Sequence, residues 1–251
     1  MTSTSPSTTT SPTLDTDNSD RPDIQDPRSF WTQRWARGEI GWHQEAPEPR
    51  MVREFEKMGV QFRRVFVPLC GKSLDLLWLA QQGLEVIGAE WSAQACKEFF
   101  EEHRIPFIIE ESLGATRFRS TDPALRVQLL QGDFFSLSSE QVGSIDVVYD
   151  RAAMIALAPQ LREAYVKHLQ KIARTSGGQL SRLFIITIER PDGGGPPYSV
   201  PADEIQSHYS KAFQIQVGPR ESTTLRGNVA GFEVEYRLTP ISACADSSTV
   251  D

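Results

Sequence analysis

Three cysteines in 251 residues, Cys70, Cys96 and Cys244, are too few and too widely spaced for a disulfide framework. No CxxC pair occurs, so neither a zinc site nor any other metal site is expected. No apolar run approaches the ~18–20 residues that cross a bilayer, which excludes a helical membrane span. Positive charge is not in excess either. A net charge of −7 argues against nucleic acid or an anionic membrane as partner, because phosphate neutralisation needs a basic face. Lysine and arginine are missing before Arg21, and no apolar h-region stands there, so neither a presequence nor a signal peptide fits. A reducing cytoplasm is the expected compartment.

What fills the first twenty residues is Ser and Thr, twelve of them. Such a stretch buries too little apolar surface to offset its ordering entropy, so residues 1–25 read as a disordered tail. The rest has ordinary apolar and charged fractions and reads as one domain, residues 26–251. At this length a fold buries roughly 70–75% of its unfolded surface, and nothing in the sequence requires more than a monomer.

From Asp26 onward strands and helices alternate. Trp31 and Trp35, four apart, share one face of a short helix that Gly38 can end. "PRMVREFEKMG" opens on proline and closes on glycine, as a second helix does. "RVFVPL" is a strand stopped by Pro68. "SLDLLWLAQQG" is a helix with Leu74, Leu77 and Trp78 inward and Gly83 past its end. "LEVIGAE" is a strand, and Ser92 can cap the helix that follows. Further strands lie in "VQLLQGDFF", "IDVVYD" and "RLFIITIE", with a helix over "PQLREAYVKHLQKIA". "FQIQV" and "GFEVEYRL" alternate in the antiparallel manner. The stretch from Ile105 to Arg126 has no clear period. The pattern predicts an α/β fold: a doubly wound, mostly parallel sheet with an antiparallel C-terminal strand pair.

Ligands of such sheets bind beyond the carboxyl ends of the strands. Those ends carry Leu69-Cys70-Gly71, Glu90, Asp133 and Asp150-Arg151. Gly71-Lys72-Ser73 ends like a phosphate-binding P-loop, but Phe66 stands where that loop needs its first glycine. The G-x-G-x-x-G of dinucleotide sites is also missing, since Gly71 is followed by Lys72, Ser73, Leu74, Asp75 and Leu76. Glu90 lies nineteen residues beyond Gly71, close to the ~20 at which a carboxylate meets a ribose diol. A ligand with a ribose and no pyrophosphate fits best, and S-adenosylmethionine is one. A nucleotide-binding oxidoreductase stays open at this point.

The stretches "FWTQRWARGEIGWHQ", "VPLCGKSLDLLWLAQQG", "GAEWSAQACKEFFEE", "GDFF", "YDRAAMIALAP" and "GPPYSV" occur in that order. On them the chain from Phe30 to about Leu238 resembles the thiopurine S-methyltransferase family, its bacterial-type members above all. The resemblance implies a Rossmann-like class I methyltransferase with S-adenosyl-L-methionine as cofactor and a small-molecule thiol as acceptor. It implies that Leu69 offers its backbone carbonyl to the methionine ammonium, that Gly71 cradles the donor, and that Glu90 binds the ribose hydroxyls. Asp133 and Phe134 fall where the family contacts adenine. Trp31 and Trp35 belong to the segment that closes over the cofactor, and Arg151 to the place where cofactor and acceptor meet. Trp42 stands where the family commonly carries a phenylalanine lining the acceptor pocket, and Trp91 where an aliphatic residue is usual. After Gly218 the match is loose.

Methyl transfer to a soft sulfur nucleophile is an in-line displacement that needs alignment and a dry cavity more than proton chemistry. Alignment contributes up to about 7–11 kcal/mol in well-oriented systems. Wider relatives methylate halide, thiocyanate or reduced selenium and tellurium species, and a binding protein without turnover would keep the same fold. Read without the resemblance, the tryptophan pair anchors a core and Cys70 is a small buried residue. His43 is a hydrogen-bonded loop residue or a general base. His103, His168 and His208 face solvent from helices, as does Lys72 from its loop.

Overall fold

The computed structural model describes residues 27–112, 114–173, 180–225 and 227–241; the Ser/Thr-rich segment and Cys244 lie outside them. Two helices come first, α1 (Pro27–Ala36) and α2 (Pro49–Met58). β1 (Arg64–Val67), α3 (Leu74–Gln81), β2 (Glu85–Glu90) and α4 (Ala93–Glu102) follow as strand, helix, strand, helix. A hairpin, β3 (Phe107–Ser112) and β4 (Ala115–Ser120), leads into β5 (Val127–Gln131). Then come α5 (Ser139–Val142), β6 (Val147–Arg151), α6 (Ala153–Ala156), α7 (Pro159–Ala173) and β7 (Arg182–Glu189). The last elements are α8 (Ala202–Tyr209), β8 (Phe213–Leu225) and β9 (Val229–Pro240).

The strands form a nine-stranded sheet in the order β3-β4-β5-β2-β1-β6-β7-β9-β8. Its centre, β5-β2-β1-β6-β7, is parallel throughout, while β9 runs antiparallel to β7 and β8 antiparallel to β9. Sheet and C-terminal strand pair are therefore as the sequence pattern predicts. The strand alternation divides the core in two. Phe66, Ile87, Leu130, Val148 and Ile185 face a layer built from α5, α6, α7 and α8. Val65, Val67, Val86, Leu129, Val147 and Tyr149 face Met51, Phe55, Leu76 and Phe99 on the other side.

Three details differ from the sequence reading. The unpatterned stretch after Ile105 is the β3–β4 hairpin, whose edge strand leaves Ile108 and Ile109 exposed and so shows no alternation. α3 buries Asp75, Leu76, Leu79 and Ala80, with Leu74, Leu77 and Trp78 only partly covered. A polar residue sets that rotation. Asp75 accepts the Tyr149 hydroxyl at 2.9 Å and the Glu48 N–H at 2.7 Å, so its side of the helix must face the sheet. The three helical histidines are half-buried: His103 packs on Phe99 and His168 on Phe134 and Phe135, and His208 lies 3.5 Å from Glu204.

The contact of α2 with β9 and the start of β7 is made of charge. Glu48, Glu54, Glu233 and Glu235 meet Arg50, Arg53, Arg182 and Arg237, with equal numbers of each sign. Glu48, Glu54 and Glu235 are almost fully buried. Such pairs contribute little net stability, but removing one partner leaves an uncompensated buried charge. They fix where α2 sits, and with it the loop between Arg37 and Glu48.

Gly88, in the middle of β2, brings strand and loop together. A Cβ there would stand 2.5 Å from Leu129 Cδ2 and 2.6 Å from Cys70 Sγ, and both side chains are held in the core. Gly88→Ala is expected to destabilise the fold by about 1–3 kcal/mol, the usual range for overpacking. Thermal or urea unfolding reads this; an unchanged midpoint would mean that Cys70 and Leu129 can move aside.

Candidate active site

The loop between β1 and α3 is wound tightly at the carboxyl end of the sheet. Leu69 has φ 46 and Gly71 φ 55, and a leucine in that region is strained. Backbone and carboxylate partners hold the strain. Cys70 N–H donates to Ala89 O at 2.9 Å, and Ser73 accepts from the Asp75 N–H as the cap of α3. Gly71 N–H donates to Glu90 Oε2 at 2.8 Å, and Ser92 N–H donates to Glu90 Oε1 at 2.7 Å. Burial pushes the Glu90 carboxyl above its usual range, while the N–H groups of Ser92, Gly71 and Trp91 pull it back. With about four acceptor directions on a carboxylate, these N–H groups leave capacity for a ligand donor.

A second strained residue lies at the end of β6. Ala152 has φ 70, directly after Arg151 and before α6. Asp150, fully buried, ties this turn down. Its Oδ1 accepts the Met154 N–H at 3.2 Å and its Oδ2 accepts the Tyr165 hydroxyl at 2.7 Å. Burial pushes its carboxyl up to about 6, against the lowering pull of those bonds.

α1 lies across the carboxyl ends of β1, β2 and β5. The buried Trp35 ring comes within 3.4 Å of where a Cβ on Gly71 would stand. Trp42 meets Trp31 and Trp35 edge-on, with ring centroids 5.0 and 5.8 Å apart. Trp91 Nε1–H donates to Thr32 Oγ1 at 2.9 Å, and Arg28 reaches Asp133 at 2.8 Å. Trp91 thus anchors α1, which explains an indole at that position. Asp133 also caps a short 3-10 turn, Phe134–Ser136, by accepting the Phe135 N–H. The Phe134 ring is buried against Tyr165 and His168.

Between these elements lies a narrow cavity of about 30 Å³, bounded by Trp42, His43, Leu69, Gly71, Tyr149 and Arg151. Lys72 also borders it, yet its ammonium is not a solvent-facing group: it is buried and bonded to Glu98 at 2.8 Å and Glu102 at 2.6 Å on α4. Burial pushes the Cys70 thiol well up, which suits a packing residue and not a nucleophile. Arg151 is different from Arg50, Arg162, Arg190 and Arg237, which all pair with carboxylates. Half-buried at the cavity wall, Arg151 makes no ion pair or side-chain hydrogen bond with the described residues. A larger cavity, about 250 Å³, lies where β7 begins, but its arginines, Arg182 and Arg237, already face Glu54 and Glu235. Among the described residues no group of His, Cys, Asp and Glu could hold a metal ion, and no helix is long and apolar enough to cross a membrane.

The sequence does not mark Asp75, Tyr149 or Gly88: an acid on a helix, a tyrosine inside a buried strand and a glycine in mid-strand carry no sign of the distant partners they meet. Of the residues named from sequence, Leu69, Gly71, Arg151 and Trp42 line the cavity, Glu90 accepts the Gly71 N–H, and Trp31 and Trp35 pack on Trp42.

The sheet matches solved methyltransferases. Magnesium protoporphyrin IX methyltransferase from Synechocystis, with bound S-adenosylhomocysteine, superposes with a TM-score of 0.59. That match covers 85% of this chain and 100% of the other at 15% identity. The fold is that of the class I methyltransferases. Residues 27–234 match the family described as thiopurine S-methyltransferase. A thiopurine S-methyltransferase of Pseudomonas aeruginosa (strain UCBPP-PA14) is 42% identical over 190 residues, 74% of this chain and 84% of its own. One from Acinetobacter baylyi is 38% identical over 195 residues, 75% of this chain and 86% of its own. The chain belongs to the thiopurine S-methyltransferase family, and it is an S-adenosylmethionine-dependent methyltransferase. The residues present suit that cofactor: a buried carboxylate for a diol, a glycine corner under an indole, and no phosphate cradle.

The Asp150 turn yields a pH-dependent prediction. A carboxyl raised to about 6 binds a proton more tightly when folded than unfolded. The stability it contributes is complete below its unfolded value of 3.8 and is lost as pH rises through about 6. Asp150→Asn should therefore gain on the wild type between pH 4 and pH 7, by roughly 1–3 kcal/mol. Thermal melts at both pH values measure it. A difference that does not change with pH would contradict the buried, titrating carboxyl.

Proposed function

We propose that the protein methylates the sulfur of a small aromatic or heterocyclic thiol, thiopurine-like in character. The observation that carries this reading is Arg151: a half-buried guanidinium, without a carboxylate partner among the described residues, on the wall of the same cavity as Trp42. Such a pair suits a flat, soft anion, since the cation neutralises a thiolate while the indole packs on its ring.

S-adenosylmethionine, when bound, supplies an electrophilic methyl carbon. The chain's part is to hold it and keep water out. In this reading the Leu69 carbonyl receives the ammonium and Gly71 lets the loop pass close to the methionine end. Glu90 takes the ribose hydroxyls on the lone pairs that Gly71 and Ser92 leave free. Asp133 and the backbone at Phe134 border the adenine. Trp31 and Trp35, carried on α1, cover the cofactor, and Trp42 joins them as the wall on the acceptor side. Arg151 orients the acceptor so that sulfur, carbon and leaving sulfur stand in line.

The narrowness of the cavity favours a second acceptor class, small inorganic anions such as halide, thiocyanate or hydrogen selenide, for which the same guanidinium would serve. A panel of aromatic, heterocyclic and alkyl thiols and these anions, scored by S-adenosylhomocysteine formation, separates the two. Aromatic and heterocyclic thiols are expected to have the highest kcat/KM. Arg151→Met should lower it about 10- to 100-fold, the range for a hydrogen bond to a charged group. Faster turnover of an inorganic anion than of any thiol would overturn the thiol assignment.

A further inference from the structure

His43 lies in the turn after α1, where its backbone N–H donates to Ile40 O at 2.8 Å. His43 lines the same cavity as Arg151, Leu69 and Tyr149. The three other histidines are engaged by aromatic rings or by Glu204. His43 has no side-chain hydrogen bond, ion pair or ring contact with the described residues. The charged groups around it are Lys72 from the β1–α3 loop, Glu98 and Glu102 from α4, His103 just past its end, and Arg151 from β6. Burial, then the Lys72 ammonium, lowers its pKa from 6.5, with Glu102 pulling the other way. Burial and the Lys72 ammonium both favour the neutral ring, which carries a basic nitrogen.

We propose that His43 is the general base of this site, accepting the S–H proton of thiols that are not ionised at neutral pH. The inference rests on the S-methyl reading above and extends it from preformed thiolates to weakly acidic thiols. The proton passes from sulfur to the imidazole, and the sulfur lone pair forms the new bond to the methyl carbon. The bond from that carbon to the sulfonium breaks, its electron pair staying on the departing sulfur, which becomes the neutral thioether of S-adenosylhomocysteine. The imidazolium then gives the proton to water. Arg151 holds the negative charge that grows on the acceptor sulfur, while Lys72, tied to Glu98 and Glu102, disfavours a protonated His43 before the acceptor arrives.

The test compares two acceptor classes in wild type and His43→Asn: aromatic thiols already ionised at neutral pH, and alkyl thiols with a pKa of about 8.5, like that of cysteine. The ratio of alkyl to aromatic kcat/KM should fall about 100-fold in the variant, the usual share of a general base. In wild type the alkyl-thiol rate should rise with pH through an apparent pKa below 6.5 and level off by neutral pH. In the variant this limb should move up to the pKa of the thiol itself. Independently of turnover, NMR titration of the wild-type imidazole should give a pKa below 6.5. Calorimetry with S-adenosylhomocysteine should find the variant's affinity within about twofold of wild type.

An equal loss on both acceptor classes, or a collapse of S-adenosylhomocysteine affinity, would make His43 a structural residue and overturn the proposal. An unchanged ratio would do the same. If wild type turned over no thiol at all, the S-methyl reading itself would fall, a result distinct from any change in ratio.

Discussion

The carboxylate of Glu90 is the contact on which the site depends. One oxygen receives the N–H of Gly71 and the other that of Ser92, so a single side chain at the end of β2 closes the β1–α3 loop and seats the start of α4. The loop in turn holds Leu69 in a backbone region that costs a leucine energy. The charge is buried, and its own pKa is raised for that reason. Ionised Glu90 is therefore a site of stored electrostatic stress, and hydroxyl donors from a ligand would relieve it. A group that is poorly solvated and already partly hydrogen-bonded is well suited to bind a diol, because little reorganisation remains to be done.

The acceptor side is held by different physics. Trp42 and His43 belong to a loop with little regular structure, yet both ends of that loop are fixed. At one end the tryptophans of α1 pack edge-on against Trp42. At the other, Glu48 is gripped by Arg50 and by Asp75, and α2 is locked to β7 and β9 by four acidic and four basic residues. Asp75 links the two halves of the site, since the same carboxylate receives the Tyr149 hydroxyl under the cavity. Order in the loop thus comes from charge pairs at its base and aromatic edges at its tip.

The parallel sheet was legible because buried strands read as unbroken apolar runs and their helices are punctuated by caps. Ser92 and Gly83 do at the ends of α4 and α3 what their residue types suggest. The β3–β4 hairpin was not legible, because an edge strand with Ile108 and Ile109 exposed has no inside to mark. The rotation of α3 was misread because a hydrophobic count cannot see that Asp75 is required inside. Lys72 was misread for the converse reason: its partners, Glu98 and Glu102, are distant in sequence. Strand ends, in contrast, are marked by where apolar runs stop, which is why Leu69, Glu90 and Arg151 could be named from sequence; Leu69 and Arg151 line one cavity, and Glu90 accepts the N–H of Gly71 in its wall.

In the proposed reading one carboxylate serves both the loop and the cofactor, and calorimetric titration of S-adenosylhomocysteine into wild type and Glu90→Ala tests this most directly. The variant should remain folded but melt lower, since two buried N–H groups lose their acceptor at about 1–3 kcal/mol. Its affinity should fall about tenfold or more, as expected when hydrogen bonds to a charged group are lost. Unchanged affinity in a folded variant would contradict the account, leaving Glu90 a loop fastener with no part in binding.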